Sequence, residues 1–168
     1  MKKFRIYDAC VIALLAALVF ALEQLLAFLP NIQLTVFLLV LFSKKLGLIK
    51  TSIIIIIHTL LDNLFMSSLN LAYFPFMLIG WLIIPITLNT IFKRVNSNIA
   101  LAFLGILFSA LYSWSFLLGN VLFMNVRFLD YFIADIPFEI ILALSSFLSI
   151  LLLYIPLSKL FDRFYKSN

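Results

Sequence analysis

The sequence predicts an all-α membrane protein of six transmembrane helices, with N and C termini cytoplasmic, built as one domain over 1–168. Three observations predict it. Of 168 residues, 65% are hydrophobic and 11% charged, where a soluble domain has about 45–50% and about 25%. Eleven of the twelve Lys and Arg fall in four clusters: Lys2/Lys3/Arg5, Lys44/Lys45/Lys50, Lys93/Arg94 and Lys159/Arg163/Lys166. Between consecutive clusters lies enough apolar chain to cross a bilayer out and back. Cytoplasmic loops carry excess Lys and Arg, so the clusters mark the inner side.

Each span follows from local signals. Span 1, 9–29, has 21 residues, or about 31 Å of helix, the hydrocarbon thickness. Pro30-Asn31 stops it on the outer side. Span 2, 32–42, has 11 residues, about half a bilayer. Irregular backbone at membrane depth is tolerated where protein buries it or a wet cavity meets it, so the short span points to an outward-facing cavity. Span 3 is 48–65, followed by a loop over 66–70. Span 4, 71–92, carries Pro75 near its start and Pro85 inside, where a kink is expected. Span 5, 99–124, is the longest, and 125–134 is the longest external loop. Span 6 is 135–157. No internal repeat or linker interrupts the chain.

Composition excludes several classes. The net charge of +5 is accounted for by the basic clusters, which face anionic headgroups. No basic stretch outside a span carries interleaved aromatics, so nucleic-acid binding is rejected. The single cysteine, Cys10, forms no internal disulfide and no zinc site. The apolar run after Arg5 is too long for a cleaved signal and is read as a retained span. There is no P-loop, no H-E-x-x-H and no G-x-S-x-G, so no catalytic residue, metal or cofactor is assigned.

Five features carry chemistry. Ala9, Ala13, Ala17 and Ala21 recur every four residues on span 1 and form a smooth strip on one face. Such a strip admits close approach of another helix, from a partner or from the same chain. Glu23, Gln24, Asn31, Gln33, Asp62, Asn63, Asn70, Asn120, Asn125, Arg127, Asp130, Asp135 and Glu139 all map to the outer side. A charge deep in the bilayer costs at least about 2.5–3.5 kcal/mol, so Glu23 and Asp62 must face protein or a cavity. His58 and Asp62 share a helix face, as a buried pair or as ligand contacts. Trp81, Tyr112 and Trp114 lie nearer mid-membrane than an interfacial belt, and their polar tips need partners. Asp135-Ile-Pro137-Phe-Glu139 reads as a helix start with two carboxylates at the outer rim.

The alanine ladder, the break Pro30-Asn31-Ile32-Gln33-Leu34 before a short second helix, and Tyr131-(x)3-Asp135-Ile-Pro137-Phe-Glu139 together resemble the substrate-binding S component of an energy-coupling factor (ECF) vitamin transporter. The resemblance implies a bacterial cell-membrane protein that captures a vitamin-like molecule on its outer face. It implies docking through Ala9, Ala13, Ala17 and Ala21 on a membrane coupling subunit with two ATPase subunits, which would supply the missing ATP chemistry. The chain itself would be no enzyme. The expected ligand contacts are Asn31, Gln33, Asp62, Trp81, Tyr112, Trp114, Asn120, Arg127, Asp135 and Glu139. Stacking aromatics with carboxylates and amides suit a neutral or cationic heterocycle; five outer carboxylates against one arginine disfavour a polyanion. The alternative is a structural multi-span protein of the cell-shape MreD type.

Overall fold

A computed structural model describes residues 6–65, 74–124 and 126–165. The clusters' Lys2, Lys3, Arg5 and Lys166, the 66–70 loop with Asn70, and Asn125 lie outside the described residues. The described chain is all helical, with five helices: α1 Ile6–Leu26, α2 Thr35–Phe65, α3 Phe74–Asn89, α4 Asn98–Met124 and α5 Phe128–Phe164. Three of them, α1, α4 and α5, are long and apolar enough to cross a membrane.

The expected second and third spans form a single element. Lys44 and Lys45 lie within the helix and their ammonium groups are occupied. Lys44 Nζ donates to the carbonyls of Phe92 (3.0 Å) and Lys93 (3.3 Å), and Lys45 pairs with Asp162 at 2.7 Å. The break in α2 falls instead at Gly47, at φ 79°, ψ −176°. This region is open essentially to glycine alone. The chain folds back there. Thr35, in the first arm, and His58, in the second, both reach Glu23, whereas Lys50 reaches Asp8 at the other end of α1. The two arms are therefore antiparallel about Gly47.

The first arm is the centre of the bundle. Thr35 to Ser43 are buried without interruption, as expected of a helix apolar all round and packed on every side. α1 packs mainly on α2 and meets the end of α5 where Tyr7 Oη donates to the Phe164 carbonyl at 3.3 Å, α3 bridges α2 and α4, and α5 lies on α4 and α2. Neighbouring segments run up and down. Asn63 meets Met77, Gly80 meets Tyr112 and Ser115, and Ser109 meets Ser146. α3 remains helical through Pro85. The carbonyl of Pro85 accepts the Asn89 amide at 2.8 Å.

Two boundaries differ from expectation. α1 begins at Ile6 and ends at Leu26, three residues earlier than expected at each end. Asp135-Ile-Pro137-Phe-Glu139 does not open the last helix: α5 starts at Phe128, with Asp130 in its first turn and Pro137 in its interior. The stretch 128–134, expected as loop, is helical. Its first turn closes through Tyr131 N–H to the Arg127 carbonyl (3.1 Å), and Phe128 and Phe132 stack one turn apart. Asp130 complements the helix dipole.

Candidate functional site

At the end of the bundle remote from Gly47, polar side chains from α1, α2, α3 and α4 converge on apolar helices. α1 contributes Glu23 and Gln24 in its last turn. The first arm of α2 contributes Thr35, one residue past the Pro30–Leu34 connection. The second arm contributes His58, Thr59, Asp62 and Asn63, spaced by one and four residues so that they share a face. These five α2 groups, Thr35, His58, Thr59, Asp62 and Asn63, are polar and buried.

Their partners cross between helices. His58 Nε2 lies 3.0 Å from Glu23 Oε2, with the imidazole fully buried and Glu23 20% exposed. The contact is close but off the hydrogen-bond axis, and neither ring nitrogen has an aligned partner among the described residues. Gln24 Nε2 donates to Asp62 Oδ1 at 3.1 Å. Thr35 Oγ1 donates to Glu23 Oε2 at 3.4 Å. Asn63 Nδ2 donates to the Thr59 carbonyl at 2.9 Å. His58 and Asp62 thus share a face, as their spacing predicts, but the close partner of each is on α1.

Beside this group, Trp81 of α3 stacks on Tyr112 of α4, with ring centroids 3.6 Å apart and planes at 19°. Gly80 permits the approach: a Cβ there would lie 2.6 Å from Ser115 Oγ and 2.9 Å from Tyr112 Cδ2. Tyr112 is within electrostatic reach of both Glu23 and Asp62, which ties the aromatic pair to the carboxylates. The buried indole N–H of Trp81 and the hydroxyl of Thr59 have no hydrogen-bond partner among the described residues.

Among the other expected contacts, Trp114, Asp135 and Glu139 gather away from this group. Asn31 occupies the left-handed region at φ 56° in the turn before α2, a conformation Asn tolerates better than most residues. Gln33 is pinned by its backbone: its N–H donates to Ser145 Oγ (3.2 Å), which donates back to its carbonyl (3.1 Å). Its side-chain oxygen is buried and unpartnered among the described residues. Asn120 donates to the Phe116 carbonyl of its own helix at 2.9 Å. A second polar group joins α4 to α5. There Ser113 donates to Asp135, and the Trp114 indole donates to Glu139. Arg127 is the exposed N-cap residue of α5 and forms no ion pair with Asp130 or Asp135.

Glu23, Gln24 and His58 were visible in the sequence as polar residues in apolar spans. Their membership of one group was not, because it depends on contacts across helices. Ala9, Ala13, Ala17 and Ala21 are all exposed along α1, whereas Ala16, beside them, is fully buried against α2. Among the described residues no group of three or more His, Cys, Asp or Glu is placed to hold a metal ion. Comparison of the chain with protein-family models, curated proteins and solved structures gives no match.

Proposed function

We propose that this chain is the substrate-capture S component of an ECF-type importer, with six membrane-crossing segments and both termini cytoplasmic. It binds a vitamin-like small molecule, a neutral or cationic heterocycle, at the end of the bundle holding Glu23, His58 and Asp62. A separate coupling subunit and two ATPase subunits drive its release inward. The observation that carries this reading is the convergence of buried polar side chains from four helices at the end opposite the basic clusters. Apolar helices bear the cost of burying such groups where they serve recognition. The exposed alanine ladder on α1, whose packing within the chain is mainly against α2, supports docking of a second helix along that strip.

Native mass spectrometry of the purified protein tests capture, with a retained small molecule as the expected result. Co-expression with an ECF coupling module tests docking. Ala13→Trp and Ala17→Trp are expected to weaken assembly while leaving the isolated chain folded. Assembly unaffected by both substitutions would remove the ladder from the docking role.

A further inference from the structure

We propose that Glu23, His58, Asp62 and Trp81 recognise the edge of a flat nitrogen heterocycle bearing an amino group beside an unprotonated ring nitrogen. The proposal rests on the ligand-capture reading above and names the chemistry of the captured molecule. Buried polar groups in native folds are nearly always partnered. Here the Trp81 indole N–H, the His58 imidazole and the Thr59 hydroxyl are all fully buried and lack aligned hydrogen bonds among the described residues. His58 lies against Glu23 of α1, Gln24 of α1 donates to Asp62 of α2, and Trp81 stacks on Tyr112, which is within electrostatic reach of both carboxylates.

The unpartnered Trp81 N–H together with the two carboxylates specifies the complement. Ionised carboxylates only accept, and an indole N–H only donates. A ligand serving both must present N–H donors to Glu23 and Asp62 and an acceptor to Trp81. An amino group next to a ring nitrogen places both on one edge. Two carboxylates facing a single imidazole also favour a ligand with partial or full positive charge. Flatness follows from the aromatic wall. The Trp81–Tyr112 stack is already closed at 3.6 Å, and Gly80 holds α3 against α4. The ligand therefore lies against the edge of this pair and not between its rings.

Two pyrimidines of the same ring size test the edge: 2,4-diaminopyrimidine, and uracil, which carries oxo groups in place of the amino groups. Each is titrated against the full chain in detergent by saturation-transfer NMR. The diamino compound is expected to bind at least about tenfold more tightly, the effect of leaving a polar edge unmatched. Glu23→Gln and Asp62→Asn are each expected to shrink that preference, and Trp81→Phe, which keeps a ring but loses the donor, to weaken the diamino compound. Circular dichroism checks that each variant is folded, and the Trp81→Phe result stands if a carboxylate variant is not. Equal binding of the two pyrimidines, binding of neither, or a preference unchanged in the variants overturns the proposal. A retained molecule without an amino edge also overturns it while leaving capture intact; loss of capture itself is read by the mass spectrometry above.

Discussion

Gly80 sets how closely α3 approaches α4. A methyl group there would meet Ser115 Oγ at 2.6 Å and the backbone of Tyr112 at 3.4 Å. Gly80→Ala is expected to destabilise the protein by about 1–3 kcal/mol, as overpacking does, seen as a lower thermal midpoint in detergent. Gly47 acts through conformation, because the nearest atom to a Cβ there is Asn89 Oδ1 at 3.9 Å. Gly47→Ala is expected to cost about 1–3 kcal/mol from the strained backbone alone, measured by the same melt. In the sequence Gly47 is a single glycine between Lys44/Lys45 and Lys50. The sign of its φ depends on the two arms folding back, which composition does not carry. His58 and Asp62 were legible as neighbours on one face. Their partners Glu23 and Gln24 were not, since helical periodicity relates residues within a helix and says nothing of the facing one.

At the scale of the elements, the end of the bundle near Gly47 is tied by charge. Lys50 pairs with Asp8 at 2.6 Å and donates to Tyr165 Oη at 2.6 Å, joining α1, α2 and the end of α5. Lys45 pairs with Asp162, whose side chain is 61% exposed. An exposed pair contributes about 0–1 kcal/mol. Asp162→Asn is therefore expected to leave the unfolding midpoint almost unchanged. Asp8→Asn, which leaves Lys50 half-buried without its carboxylate, is expected to lower it measurably. α5 shows the limit of local signals. Pro137 with flanking carboxylates reads as a helix start, yet the helix begins at Phe128. A proline in a helix interior is tolerated when its neighbours meet the freed backbone groups.

At the scale of the whole molecule, the basic residues Lys44, Lys45, Lys50, Lys93 and Arg94 gather at the Gly47 end, and Glu23, Asp62, Asp130, Asp135 and Glu139 at the other. The expected orientation is open to a direct measurement. In a Cys10→Ala background, Lys93→Cys and Asp130→Cys are expected to react with a membrane-impermeant maleimide from opposite sides, with Asp130→Cys labelled in intact cells. Labelling of both from one side would refute the assigned topology.

The sequence by itself determined an all-helical chain with helices apolar and long enough to cross a membrane, and the gathering of most basic residues toward one end and most acidic residues toward the other. Those properties follow from composition and spacing, which act on each residue and each helix separately. Only the tertiary structure decided that Thr35 to Ser43 form the buried centre, that the alanine ladder is exposed while Ala16 is buried, and that Glu23 meets His58. The physical reason is that a leucine facing lipid and a leucine facing protein are equally apolar. Which face is which, and which polar groups meet, is settled by packing between helices.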